Sequence, residues 1–295
     1  MTTLNIVVAV DGSEASLHAC RLLAGYAGDR AAARITLLNV QRPPLRLSPG
    51  AGVDHATLEA ALLERSSREL EAARALLVAS GHHTDVITRV GPPADTILEV
   101  TRQCNASALV MGSGRQGLLG GYAIGSVALR VAPAAPCPVV LVRPGVRLPS
   151  ELGIRLRVVV PVDGSPEADQ ALRRLAGCAD VLGRMHVDLV HFGSGLTLAA
   201  AILPPHDDVL REWSSQQFDA ALSASAQVLA HAGIAHDVHR LTGAPDTDIA
   251  AFARRQGADV IVMGTRGMGA MHHLLLGSAA LKTAVVSDVP VAFMR

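Results

Sequence analysis

The sequence predicts an α/β protein in which two doubly wound, five-stranded parallel-sheet domains follow one another on a single chain. Two observations carry that prediction. Strand-like apolar runs alternate with helix-like segments from end to end, and the second half repeats the first at a constant offset. Val10–Ser13 and Val162–Ser165 both read VDGS, while Gly91–Pro93 and Gly243–Pro245 both read G-x-P. Met111-Gly112 returns at Met263-Gly264, Gly125-Ser126 at Gly277-Ser278, and Pro138 at Pro290. Every landmark is displaced by 152 residues (163 − 11, 264 − 112), so the halves align with little net insertion.

Taken in order, LNIVVAV reads as a first strand, with Ser13 capping a helix that runs to about Gly28. ARITLLNV is the second strand, a Pro/Gly-rich loop covers Arg42 to Gly52, and an amphipathic helix spans about Asp54 to Ala79. HTDVITRV, a helix from Pro92/Pro93 to near Cys104, ASALVMG, a helix from Gly125 to about Ala132 and PVVLVR complete the first half. The second half repeats the series: RVVVPV, a Ser165-capped helix with Pro166 at its first position, HVDLVHF, and a long helix near Asp208 to Ala232. AHDVHRL, a helix from Pro245 to Gln256, ADVIVMG, a helix from Gly277 and VPVAFM follow. Continuous apolar strands between helices imply parallel sheets covered on both faces. Pro144 to Gly153 is the linker, giving domains at 1–146 and 155–295.

Composition narrows the function. Formal net charge is zero and aromatic residues are 2% of the chain, so the basic surface and stacking platforms of nucleic-acid binders are missing. No uncharged apolar run is long enough for a membrane span, and the N-terminal run leads straight into VDGS rather than a cleavage site, so a cytoplasmic protein without a membrane partner is expected. Cys20, Cys104, Cys137 and Cys178 lack CxxC spacing and fall in segments that read as buried, which suits reduced core thiols. The adjacent pairs His82/His83 and His272/His273 point their side chains in different directions on a helix or strand, which suits solvated surface better than chelation.

The stretch from Met263 to Ser278 reads as a strand end, a glycine-rich loop and the first turn of a helix. Gly264, Gly267 and Gly269 let an anion approach backbone N–H groups, and Gly277-Ser278 present a helix N-terminus and a hydroxyl to phosphate. Arg266 is the candidate to neutralise phosphate charge, or else a solvated loop arginine. Asp163 follows the first strand of its half and Gly264 closes the fourth, so a switch point between those strands would place carboxylate and loop in one crevice. There Asp163 would serve a sugar hydroxyl or a divalent ion such as Mg²⁺; the competing reading is an Asx turn that caps the next helix. No P-loop is present, because Lys282 is the chain's one lysine and no G-x-x-x-x-G-K-[ST] occurs.

On these residues the chain resembles the universal stress protein family in its tandem, two-domain form. The family's signature, G-2x-G-9x-G followed by Ser or Thr, is met by Gly264, Gly267, Gly277 and Ser278. The resemblance implies an adenine nucleotide alpha hydrolase-like fold with strand order 3-2-1-4-5, and the two halves paired as a pseudo-dimer, with a further homodimer open. It implies ATP as ligand, possible Mg²⁺, a contact from Asp163, and His191 and Phe192 against the adenine. In the first half Gly112, Gly125 and Ser126 stand in place, but Arg115 holds the second glycine's position and Gly114 lies one residue early. Arg115 either obstructs the loop or reaches a phosphate itself, so Asp11, Val40, Gly112, Gly114, Arg115, Gly125 and Ser126 form an altered counterpart of the second-half site. The expectation is a cytoplasmic ATP-binding stress or regulatory protein whose dependable site is the second half. A non-nucleotide interaction module of the same fold, or a slow ATPase, are the alternatives; no residue stands out to orient an attacking water.

Overall fold

The computed structural model describes residues 4–26, 33–43, 55–116, 122–150, 152, 154–193, 222–265 and 276–294. The chain divides into two compact units, Met1–Ser150 and Glu151–Arg295.

The first unit runs β1 (Leu4–Ala9), α1 (Glu14–Ala24), β2 (Ala33–Gln41), α2 (His55–Ala79), β3 (Thr84–Val90), α3 (Pro93–Gln103) and β4 (Ala108–Gly112). A ribbon of β5 (Arg115–Gln116) and β6 (Tyr122–Ala123), then α4 (Ser126–Val131) and β7 (Val139–Val142), complete it. The five long strands pair in parallel in the order β3-β2-β1-β4-β7. Right-handed crossovers place α1 and α2 together on one face and α3 and α4 on the other, as their contacts with each other require. Val7, Val8, Ile35, Leu37, Leu38, Leu109 and Val139 fill the centre with at most 2% exposure, which explains why these strands are apolar without alternation. The α2 stripe Leu70, Ala73 and Leu77 recurs at helical spacing and is buried against β2 and β3.

The second unit repeats the plan with β8 (Arg155–Pro161), α5 (Pro166–Gly177), the single turn α6 (Ala179–Leu182) and β9 (Arg184–Gly193). A helix over 222–231 (α7), β10 (Ala235–Thr242), α8 (Pro245–Arg255), β11 (Val260–Gly264), α9 (Ser278–Val286) and β12 (Val291–Met294) follow. Its strands pair in parallel in the order β10-β9-β8-β11-β12. Both units therefore have the 3-2-1-4-5 order that the resemblance implied. The serines after the first strands cap their helices as expected, Ser13 accepting from Ser16 N and Ser165 from Ala168 N, each at 3.2 Å.

Three details depart from the sequence reading. The first-half glycine loop contains the antiparallel ribbon, with Arg115 opposite Ala123. His82 is buried at 4% exposure rather than solvated, because its backbone N–H closes the turn after α2 onto Leu77 O and draws the residue inward. Cys104 and Cys178 are only partly buried, since both end helices near the surface; Cys20, on the buried face of α1, has its thiol pushed up to about 12 by burial. All four are free thiols.

Candidate functional site

A parallel sheet in this order reverses direction beside its first strand, between β1 and β4 in one unit and between β8 and β11 in the other. Such a switch point opens a crevice beyond the carboxyl ends of the strands. The sequence puts its polar and glycine residues there.

In the first unit the crevice is a cleft of about 730 Å³. Six of the seven candidates of that half line it: Asp11, Val40, Gly112, Gly114, Gly125 and Ser126. The side chain of the seventh, Arg115, lies outside the described residues. Asp11 follows β1 and holds an Asx turn, its Oδ1 accepting from Ser13 N at 3.1 Å and Ser13 Oγ at 2.5 Å. Gly12 takes the left-handed backbone the turn needs, with φ 75°.

Two glycines of this cleft answer to different causes. A Cβ on Gly112 would lie 2.5 Å from Ala15 C and Ser16 N, so packing of β4 under the first turn of α1 demands glycine. Gly125 has φ −63° and ψ 145°, a conformation open to any residue, and among the described residues nothing stands within 4 Å of a Cβ added there. Neither the backbone nor the packing of the fold explains it.

The cleft also holds a group that sequence reasoning missed. Glu69 reaches down from α2 until its Cγ lies 2.9 Å from where a Gly12 Cβ would be. Its Oε2 accepts from Asn39 Nδ2 at 2.9 Å and Gln41 Nε2 at 2.8 Å, and its Oε1 from Arg65 Nε at 2.8 Å. Asn39 and Gln41 are buried at 0% and 5%, so the carboxylate satisfies two amides that have little access to water. At the 152-residue offset, Asn39, Gln41 and Glu69 correspond to His191, Gly193 and Ala221, so the sequence carries no acid at the position of Glu69 in the second half.

In the second unit Asp163 follows β8 and Gly264 ends β11, strands paired through Val158–Val260 and Val159–Ile261. Asp163 Oδ1 accepts from Ser165 N at 3.0 Å, the same Asx turn as in the first half. Gly277 N donates to Thr265 O at 2.9 Å, which joins the end of β11 to the start of α9 and closes the glycine loop at its base. Gly277 caps α9 with φ −60° and ψ 153°, nearly the geometry of Gly125, and no side chain among the described residues caps the first turn beginning at Ser278. Arg266 and Gly267 lie outside the described residues. Phe192, partly buried near the end of β9, pairs with Leu241 of β10.

His191 stands where the first half has Asn39, and does the same job. Asn39 Nδ2 donates to Val10 O at 2.8 Å; His191 Nδ1 lies 2.6 Å from Val162 O, which assigns the proton to Nδ1. Burial, the largest influence, pushes the imidazole below its ordinary range, against the raising effects of the Val162 carbonyl and Asp163. A depressed folded value means that the unfolded chain takes up the proton first. Stability is then fully present above the unfolded value of about 6.5 and is lost as pH falls from there toward the folded value. His191→Asn keeps the donor and removes the titration, so its thermal midpoint is expected to fall less than that of the parent between pH 7.5 and pH 5. Equal losses in the two proteins would show that His191 is not responsible.

No helix among the described residues is long and apolar enough to cross a membrane. The sequence matches the universal stress protein family twice, over residues 3–143 and 155–295. It is 26% identical over 301 residues to a universal stress protein of Mycolicibacterium smegmatis, covering 100% of this chain and 98% of that one. A universal stress protein of Thermus aquaticus is 32% identical over 143 residues, which is 47% of this chain and 97% of the relative. Among solved structures, a universal stress protein from Archaeoglobus fulgidus superposes with a TM-score of 0.68 at 22% identity, covering 100% of this chain and 97% of the other. With the family pattern matched in both halves, the chain belongs to the universal stress protein family and carries two of its domains in tandem.

Proposed function

We propose that the chain binds ATP or a related adenine nucleotide beyond the carboxyl ends of its strands, with the second half as the tighter site, and that occupancy regulates a partner contact rather than driving rapid hydrolysis. The observation that carries this reading is Gly125. It lines the first-half cleft, yet neither its dihedral angles nor its neighbours call for glycine. A bare backbone that the fold does not need is what a ligand approaching the main-chain N–H groups needs. Gly277 has the same conformation at the uncapped start of the nine-residue helix α9, where phosphate would find unpaired N–H groups and the Ser278 hydroxyl.

The difference between the halves follows from charge. In the first, the Glu69 carboxylate faces the space that Asp11 also faces, and a triphosphate would meet both acids. In the second, the corresponding positions carry His191, Gly193 and Ala221, so no carboxylate aligned with Glu69 would oppose a triphosphate.

Heat-denatured protein analysed for released nucleotide, followed by calorimetric titration of nucleotide-free chain with ATP, tests the reading. One strong equivalent per chain is expected, lost in Gly277→Ala and retained in Gly125→Ala, with circular dichroism unchanged in both. Glu69→Gln is expected to strengthen a second, weaker equivalent. Absence of both co-purified nucleotide and titratable binding would overturn the proposal.

A further inference from the structure

The outer strands of the second sheet carry a group of metal-ligating side chains that lies away from the strand-end crevice. His186 and Asp188 alternate along β9, Asp237 and His239 alternate along β10, and Asp237 is the register partner of Asp188, so period-two geometry turns all four to one face. His186 Nε2 lies 3.0 Å from Asp237 Oδ2. The ligand atoms of His186, Asp188 and Asp237 all fall within 4.8 Å of one another. No other trio of such groups occurs among the described residues.

The surroundings suit a cation. Asp188 is fully buried, and it is held from behind by Arg157 Nε at 2.9 Å on Oδ2 and by His239 Nε2 at 2.8 Å on Oδ1. Those contacts orient the carboxylate as outer-shell partners orient a ligand; Arg157 Nη2 also donates to Oδ1 at 3.4 Å, and Oδ2, which accepts from Arg157 Nε alone among these donors, keeps a second lone pair for another partner. His239 is itself fixed edge-on against Phe252 of α8, with ring centroids 4.9 Å apart. His186 and Asp237 are open to solvent, at 39% and 61% side-chain exposure, which gives an ion a way in.

The first half supplies an internal control. At the 152-residue offset, His186, Asp188, Asp237 and His239 correspond to Arg34, Thr36, Asp85 and Ile87. There Arg34 Nε donates to Asp85 Oδ2 at 2.6 Å, a permanent cation closing the pair. The second half has an imidazole in place of that cation, and has a carboxylate and a second imidazole where the first has Thr36 and Ile87.

We propose that His186, Asp188 and Asp237 form a divalent transition-metal site of the zinc class, with water completing the coordination and with His239 and Arg157 positioning Asp188. One nitrogen and two oxygen ligands with open positions match the donor set of such ions, and the bound ion would link β9 to β10. The site is independent of nucleotide.

Full-length protein, freed of metal by chelator and dialysis, is titrated with Co²⁺ while the visible absorption of the ion is followed, and with Zn²⁺ by calorimetry. One equivalent per chain is expected, with a thermal midpoint that rises with Zn²⁺. His186→Ala and Asp237→Asn, both at exposed positions, are expected to weaken binding by about tenfold or more and to abolish the rise, with unchanged circular dichroism. The double variant His272→Ala/His273→Ala is expected to bind as the parent does. No binding, binding that survives His186→Ala and Asp237→Asn, or binding lost with His272 and His273 would overturn the proposal.

Discussion

Gly112→Ala is expected to destabilise the first domain by about 3 kcal/mol, at the upper end of what overpacking a filled interior costs. The new methyl would meet the Ala15 carbonyl carbon and the Ser16 nitrogen at 2.5 Å and the Ala15 oxygen at 2.8 Å. These are main-chain atoms in the first turn of α1, which have no rotamer to escape into. Helix α1 must lift from β4, and the buried Ala15, Ser16 and Ala19 must lift with it. Urea unfolding of the variant checks this, and a loss under about 1 kcal/mol would show that the turn yields easily. Gly125→Ala, the same change in the same motif, is expected to stay within about 0.5 kcal/mol of the parent. One glycine serves the fold and the other is left for a ligand, and the contrast between the two variants separates those roles.

Arg157→Met is expected to cost about 2 kcal/mol in metal-free buffer. Asp188 is completely buried, and among the described residues Arg157 is its one guanidinium partner; removing it strands a charge in the sheet with His239 as the remaining described partner. Breaking a buried pair costs about 3–5 kcal/mol, and the lower figure here reflects the 39% exposure of the arginine side chain, which lets water share its role. The arginine also donates to Gln256 Oε1 at 3.0 Å, tying the end of α8 to β8. Arg157→Met combined with Asp188→Asn is expected to be less destabilised than Arg157→Met alone, because the stranded charge is gone. Chemical denaturation of the two variants decides it. A double variant as unstable as the single would place the loss in packing rather than in charge.

The fold was legible because it depends on properties that one-dimensional patterns record. Continuous apolar runs at Ile6–Val8 and Val158–Val160 mark strands covered on both faces, Ser13 and Ser165 mark helix starts, and the repeat allows each half to check the other. The candidate site was legible where it depends on the backbone: Asp11, Val40, Gly112, Gly125 and Ser126 line one cleft in the first unit. Glu69 was not legible, since its entry into that cleft depends on how α2 crosses β2, which the amphipathic period of a helix does not encode. The ribbon at Arg115 and Ala123 was missed for a similar reason, because it depends on a cross-loop pairing. The His186–His239 group did leave a signal. Histidine searches for adjacent pairs overlook it, whereas HVD and DVH on neighbouring strands put ligand types two residues apart, the one spacing that shares a face of a sheet.

The Thr265–Gly277 hydrogen bond has a consequence for how such a domain diversifies. By pinning the strand end to the helix start, it separates the catalogue of residues in between from the architecture that displays them. The closure entropy of a segment held at both ends grows only by about 0.6 kcal/mol for each doubling of its length. The strand end and the helix start are thus joined by main-chain atoms, so a side-chain substitution between Thr265 and Gly277 can alter chemistry while this hydrogen bond still sets where the stretch begins and ends.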